Sequence, residues 1–546
     1  TDGGATTVVN CYNAGTVDND SSVGDFVSKG GSATVTATNC FYDEQVNFWF
    51  TSQSITGITG NSTAEMKDYV TFLDAGWDLV SENTNGNANI WDADQLSTVN
   101  NGYMILSWQD GSDNVLPTAS YSGGLGTQGD PFQIATAADL VTLSGRNADW
   151  EKYFIQTADI DLTGESASFA PIGNGGVSFK GVYDGNSHTI SNLTINQGSF
   201  NDQGLFGSIR DLYDRGVLVK DLTIDGFDIT GQNNVAAVVG FAWGGSEIDN
   251  IAVTNSTVSG NFDTGGLVGE CNGCSISNST VDVNSSIAAQ NEGGAGIAGG
   301  LYSTVVISGC TFAGSVISGS RIGGMAGRLF GNLTISNCTF SGTINGSSSA
   351  GGMIGWLSGS ATGTITDCGS TGTVTITGDE AGGMIGNASG TATITTSYCS
   401  GAVDANALAG GLVGVFQSNG SGNSSITNCY ATGSVDGGWS GGIIGEERDG
   451  GQTSLTNCYA AAVVTGNSAS RDVVSSGGSA TVIATDCFYD SDINSLNAQN
   501  ITGITGRTSA EMKDYTTFTT AGWDFVSETT NGIANIWDAD QFSTLN

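Results

Sequence analysis

Apolar and polar positions alternate with a period of two over short stretches of this chain, and the stretches recur about every 29 residues, the mark of a stacked solenoid. Each repeat opens with Gly-Gly-aliphatic-aliphatic-Gly and closes with aliphatic-x-Asn-Cys. GGMIG at 351–355 is followed by ITDC at 365–368, AGGLVG at 409–414 by ITNC at 426–429, and SGGIIG at 440–445 by LTNC at 455–458. Strand side chains alternate between faces. Stepping by two from the cysteine gives Cys338, Phe340, Gly342 and Ile344, all small or apolar, while Thr339, Ser341 and Thr343 fall on the other face. Ile335 and Ile426 lie three residues before their cysteines, an odd spacing, so the chain must turn between them. Asn337 and Asn428 suit that corner because asparagine tolerates left-handed backbone. Rungs stacked at ~4.8 Å, about eleven to a unit, predict a rod of roughly 50 Å plus caps.

The position at the corner is Leu193, Leu222, Ser256 and Ser279 in the first copies, then Cys310, Cys338, Cys368, Cys399, Cys429, Cys458 and Cys487. Cys11 and Cys40 hold the same place earlier in the chain. Adjacent rungs bring Cα atoms to ~4.8 Å, inside the ~4.4–6.8 Å disulfide range, but parallel Cβ vectors keep the sulfurs from converging. The expectation is a ladder of unpaired core thiols, from which no redox compartment can be read. Cys271 and Cys274, in CNGC, lie off the ladder beside a turn; a local disulfide and plain thiols both stand, and a zinc site lacks a second CxxC or histidine nearby.

A longer repeat overlies the short one. GGSATVTATNCFYD (30–43) returns as GGSATVIATDCFYD (477–490), and AGWDLVSENTNGNANIWDADQLSTVN (75–100) returns as AGWDFVSETTNGIANIWDADQFSTLN (521–546), an offset of 446 residues from Trp77 to Trp523. The expectation is a window on tandem units. Residues 1–110 are the last rungs and cap of one unit, 111–131 a junction with Pro117 and several glycines, and 132–190 the N-terminal cap of the next. Residues 191–490 are its rungs and 491–546 its incomplete C-terminal cap. Short helices are predicted at 136–146, capped by Thr136 with Asp139, and at 62–69 and 508–515, where Ser62 and Thr508 stand three residues before Glu65 and Glu511.

Composition narrows the function. Asp and Glu number 53 against 14 Lys and Arg, a net charge of -39. Such a surface repels nucleic acid and anionic membranes, which need cations to neutralise phosphate. No run of about 20 apolar residues predicts a membrane span.

The chain resembles the GLUG-repeat proteins, named for a Gly-Leu-x-Gly signature. GLFG (204–207), GLVG (266–269) and GLVG (411–414) match, and GTQGDPFQIATAADLVTLS with YFIQTADIDLTG and FKGVYDGNSHTISNLTI looks like the segment that precedes such repeats. The resemblance covers nearly the whole chain. It implies an all-β, right-handed parallel β-helix within large secreted or surface-attached microbial proteins, often adhesin-like, and non-catalytic parts of some secreted proteases. It carries no shared catalytic residues.

Candidate chemistry is sparse. His188, the one histidine, has no HExxH or triad setting and reads as a turn residue. The acids gather in caps and turns: Asp159 and Asp161, Asp379 and Glu380, Glu446 and Glu447. Asp159 and Asp161 point outward if Ile160 and Leu162 point inward, which makes them the candidates for calcium, the one cofactor in view; a solvated face is the competing reading. Aromatics after the Gly motifs (Trp243, Tyr302, Phe330, Trp356, Phe416) would line one edge, as a glycan or partner stripe or as a packed corner. Asn-x-Ser/Thr sequons are no more frequent than composition gives.

The leading expectation is therefore a non-enzymatic extracellular, cell-surface protein whose tandem units form a stalk or fibre. Its partners would be neighbouring units, self-assembled fibres, and glycans or another cell surface. The alternative is a carbohydrate-binding or carbohydrate-active β-helix, a polysaccharide lyase or hydrolase in the catalytic version. A third reading, an ice-binding rod, rests on Thr-x-Thr in the 33–39 region and at 371–377; these stretches do not recur in every rung, as a flat array would need.

Overall fold

A computed structural model describes residues 5–14, 34–46, 55–63, 65–67, 71–72, 75–77, 91–93, 103–106, 121–211, 216–417, 423–448, 452–475, 481–494, 496, 499, 501–526 and 536–538. The chain is mostly strand, wound as a parallel β-solenoid of about 14 turns with ~29 residues per turn and few helices. It divides into two compact units, Thr1–Gln133 and Ile134–Asn546.

In the second unit each turn crosses three parallel sheets. The rung at the middle shows the plan. Asn332–Ser336 and Thr339–Phe340 lie in the first sheet, Thr343–Gly351 in the second, and Ile354–Leu357 in the third. Register is kept from rung to rung: Ile307 pairs with Ile335, Ile335 with Ile365, Ile365 with Ile394 and Ile394 with Ile426, all buried. Rungs begin earlier than residue 191, because Val182–Asp184 already pair with Tyr153–Ile155. They also run past 490, where Cys487–Asp490 pair with Ile504–Arg507.

The Gly-Gly-x-x-Gly phrase is explained by close approach of backbones, since these glycines do not need left-handed φ. A Cβ on Gly351 would lie 2.2 Å from the Ile354 carbonyl oxygen, and one on Gly355 would lie 2.3 Å from the Ile322 nitrogen. The phrase is where one rung doubles back against its neighbours between the second and third sheets. The corner before the cysteine is left-handed, as expected: φ is 53° at Asn337 and 54° at both Asp367 and Asn428.

The thiol ladder has a second purpose beyond filling space. A residue after a left-handed corner cannot pair its N–H in a regular strand ladder, and buried N–H groups need acceptors. Here the Cys310 N–H donates to Cys338 Sγ at 3.4 Å and the Cys338 N–H to Cys368 Sγ at 3.4 Å. Each thiol in turn reaches the carbonyl two residues back, at 3.2 Å from Cys338 to Ser336 and 3.1 Å from Cys368 to Thr366. Serine does the same work: the Ile251 N–H donates to Ser279 Oγ and the Cys368 N–H to Ser397 Oγ.

That chemistry corrects the expected ladder. Cys399 is not in it. Ser397 follows the corner residue Thr396 (φ 47°), and Cys399 sits two residues on, paired with Ser370 and Ala431. Leu222 and Ser279 share the thiol column through Ile251, whereas Ser256 belongs to a neighbouring column, where it accepts from the Phe227 N–H. Cys11, Cys40, Cys310, Cys338, Cys368, Cys399, Cys429, Cys458 and Cys487 are all free thiols, and all but Cys11 are buried.

In the second unit a helix spans Ala137–Gly145, with Thr136 and Asp139 in a reciprocal cap and Leu140 and Leu143 buried. At the other end, Ser509–Met512 carries the same cap between Thr508 and Glu511. An aromatic cluster of Phe488, Phe518, Trp523 and Phe525 closes that end.

The first unit repeats this ending. Ala5–Val9 pairs in parallel with Thr34–Thr38, and Cys40–Asp43 lies between Tyr12–Asn13 and Ile58–Asn61. Phe41, Met66, Phe72, Trp77, Tyr103 and Met104 form its core. The Trp77 Nε1–H donates to the Asn39 carbonyl, as that of Trp523 donates to Asp486. Residues 111–120 of the expected junction, Pro117 included, lie outside the described residues.

Candidate functional site

The outward side of the third sheet gathers the densest chemistry of the second unit. Counting from the last glycine of each Gly-Gly-x-x-Gly phrase explains it. The next residue points outward, the one after inward, and the third outward again. The first outward column runs Phe241, Glu270, Gly300, Arg328, Trp356, Asn387, Val415 and Glu446. The second includes Arg210, Trp243, Asn272 and Tyr302.

The expected aromatic edge therefore splits. Trp243, Tyr302 and Phe330 follow the second column; Tyr302 and Phe330 stack at 4.9 Å between ring centroids. Trp356 belongs to the first column and meets Phe330 edge-on at 5.5 Å. Phe416 is a correction: two residues after Gly414, it points inward beside Ala388 and is fully buried. Arginines cover two of the rings, Arg210 over Trp243 at 3.8 Å and Arg321 over Trp356 at 4.1 Å, distances at which a cation is held by the ring face.

Beside these columns runs a row of left-handed corner residues, Asp202, Asn234, Asp263, Gly293, Arg321 and Ser349. The two rows meet in a charged seam. Arg328 grips Asp263 with Nε and Nη2, both at 2.6 Å, and reaches Glu292 with Nη1 at 2.6 Å. Arg321 holds the other Glu292 oxygen at 3.0 Å. A Cβ on Gly300 would lie 2.3 Å from Asp263 Oδ1, so glycine there makes room for the pair. Asn234 donates to Asp202 at 2.9 Å.

Burial pushes the Asp263 carboxyl up, against the pull of Arg328. Burial, then the charges of Asp263 and Asp202, raise Glu270 to about 7. Burial and the Asp263 charge push the Tyr302 hydroxyl up to about 12. The seam can thus hold a proton on Glu270 near neutrality while presenting guanidinium, carboxylate and ring faces side by side.

Other expected positions fall elsewhere. Asp159 accepts from the Thr189 N–H and meets His188 Nδ1 at 3.2 Å. Asp161 accepts from the Thr163 N–H, the Thr163 hydroxyl and Asn192. These bonds hold both carboxyls below their ordinary range. Among the described residues no group of three or more His, Cys, Asp or Glu is placed to hold a metal ion. Cys271 and Cys274 form a disulfide. Glu446 and Glu447, expected in a turn, lie in the strand Ile444–Glu447 and are buried. Glu447 points inward in the column of Phe416; the Thr453 hydroxyl donates to it at 2.8 Å, and burial raises it to about 7.

No family model matches the chain. It is 29% identical over 256 residues to halomucin of Haloquadratum walsbyi, a stretch covering 44% of this chain and 3% of that protein. It is 36% identical over 140 residues to the "Putative Gly-rich membrane protein" of Evansella cellulosilytica, covering 24% of this chain and 15% of the relative. The chain thus spans a small part of each. A solved structure titled as a putative immunoglobulin A1 protease from Bacteroides ovatus aligns over 76% of this chain and 94% of that one, with 19% identity and a TM-score of 0.30. Among the described residues no helix is long and apolar enough to cross a membrane.

Proposed function

We propose that this chain is part of a non-enzymatic, surface-associated repeat protein, in which capped β-helix units follow one another as a stalk or fibre outside the cell. The observation that carries the reading is the recurrence of one ending in both units, with Trp77 and Trp523 donating to equivalent corner carbonyls over similar aromatic clusters. A solenoid that ends in the same cap more than once is built by reiterating units, and reiteration supplies reach. One relative is named halomucin and the other a putative Gly-rich membrane protein, names that fit a surface-associated chain. Negative-stain electron microscopy of the chain, and of a version carrying two additional copies of residues 101–546, tests it. Slender particles whose length grows with each copy are expected; compact particles of unchanged length would sink the reading.

The third-sheet seam favours a second reading, carbohydrate binding, because stacked rings beside paired charges suit a sugar's apolar face and hydroxyl rim. Retention on a panel of neutral and acidic polysaccharides, lost in Trp356→Ala or Trp243→Ala, would support it. Turnover lost in Glu270→Gln would move it to an enzyme.

A further inference from the structure

The first sheet turns a very different surface to solvent. Register aligns three outward columns through the later rungs. One runs Thr304, Asn332, Thr362, Thr391, then Asn423, Gln452 and Thr481. The next runs Val306, Thr334, Thr364, Thr393, Ser425, Ser454 and Ile483. The third runs Ser308, Ser336, Thr366, Thr395, Thr427, Thr456 and Thr485. Every position is Thr, Ser, Asn or Gln except Val306 and Ile483. None is charged, in a chain of net charge -39.

From these columns we infer that the uncharged hydroxyl face of the first sheet, residues 304–485, binds the surface of ice. Four observations support this. The pairing carries no register shift along this stretch, so the side chains form a two-dimensional lattice. Its repeats are ~4.8 Å between rungs and ~6.6 Å along a strand, twice the rise per residue. The rung repeat is close to the shorter oxygen repeat of hexagonal ice, and the strand repeat is somewhat shorter than its longer one. Thr predominates in the lattice, and its branched Cβ holds χ1 stiff, so hydroxyls and methyls are ordered before any contact.

The third observation is that the side chains are unspent. Apart from a 3.5 Å contact from Ser454 to the Ser424 carbonyl, no side chain of the three columns makes a hydrogen bond among the described residues. The fourth is where the surface stops. In earlier rungs the same face carries Lys220 bound to Asp184 and Asp249 bound to Ser277, charged groups that would hold water in their own arrangement. No ring stands in the three columns; the stacked Tyr398, Tyr430 and Tyr459 of the same sheet lie beyond the left-handed corner, so a crystalline polysaccharide is the occupant the test must separate from ice. Each hydroxyl contributes weakly, so affinity depends on engaging many together.

The array was hidden in the sequence because its positions alternate among Thr, Ser and Asn. The Thr-x-Thr strings at 34–38 and 371–377 lie elsewhere, in the first unit and chiefly in the second sheet.

The test partitions the purified chain between a slowly growing ice front and the remaining liquid, and follows the growth of single ice crystals in its presence. The wild type should be enriched in the ice at least tenfold over an inert protein and should restrict crystal growth. Thr364→Lys with Thr393→Lys, in the centre of the lattice, should lose at least tenfold of that enrichment, with circular dichroism and melting unchanged. Trp356→Ala, on the third sheet, should keep it. A wild type left in the liquid overturns the proposal, as does full enrichment in the lysine variant. Retention on microcrystalline cellulose without ice enrichment, or a dimer by sedimentation that the lysine variant abolishes without ice enrichment, overturns it in favour of those occupants. Neither result would bear on whether the units form a stalk.

Discussion

The outward faces of the first and third sheets share the rungs from residue 304 to 357 and are built on the same register, yet they hold opposite chemistry. The first is a lattice of uncharged side chains that make almost no bonds to the protein. The third is a seam in which Arg328, Asp263, Glu292 and Arg321 satisfy one another and the rings of Tyr302, Phe330 and Trp356 pack beside them. The difference follows from what lies alongside. The three hydroxyl columns sit on extended strand, so their side chains stand clear. The third sheet follows a doubled-back glycine phrase and a row of left-handed corners, which fold Asp263 over Gly300 and remove it from water. Stability is therefore expected to respond to mutation on one face and hardly at all on the other.

The sharpest way to break that comparison is Arg328→Met. Asp263 is only 4% exposed and would keep its burial while losing its partner. Removing one side of a buried pair costs roughly 3–5 kcal/mol, while removing both together is often neutral. Urea unfolding should show that loss for Arg328→Met and recovery of most of it in Arg328→Met with Asp263→Asn. A single-variant loss below about 1 kcal/mol would make the seam a solvated surface like the first face.

A smaller effect is expected on the inner side of the third sheet. Glu447 titrates near 7 in the folded chain, above the ordinary carboxylate range. Between those values the folded state holds a proton that the unfolded state releases, so stability is full in acid and drains as pH rises to about 7. Glu447→Gln should flatten this slope and stabilise by roughly 1–3 kcal/mol at pH 8 relative to wild type. Melting temperature against pH from 4 to 9 measures it; an unchanged slope would mean that the carboxylate ionises freely in place.

These contrasts also mark how far the sequence could be read. The period, the Asn337 corner, the inward Cys338 and Phe340 and the Thr136 and Thr508 caps are local, fixed by residues within a few positions, and all were legible. Cys399 was misplaced because its rung puts Ser397 at the ladder; only the N–H that needs an acceptor tells the two apart. The faces of Phe416 and Glu447 depend on counting from Gly414 and Gly445, which the spacing of the aromatics alone does not show. The Arg328–Asp263 pair joins residues 65 positions apart, two rungs away, and no local spacing reports it.

The corner ladder offers a third test, at an intermediate scale. Cys368→Ser should cost no more than about 1 kcal/mol, because Ser279 and Ser397 already do the same work; Cys368→Val should cost about 1–3 kcal/mol by leaving the Cys338 N–H without an acceptor. Chemical denaturation of the two variants measures the difference. Equal losses would reduce the column to a matter of volume.

The smallest effect belongs to the first face. Thr364→Val and Thr393→Val remove hydroxyls that bond to nothing in the protein and keep the branched shape that favours strand. Each should change stability by less than about 0.5 kcal/mol in the same denaturation assay. That near-neutrality gives the comparison its meaning. A loss above about 1 kcal/mol would show that the hydroxyls are tied into the fold through ordered water, and the two faces would then differ in degree only. If the loss is absent, the run of Thr, Ser and Asn does not serve the fold, and its chemistry is left for whatever meets that face.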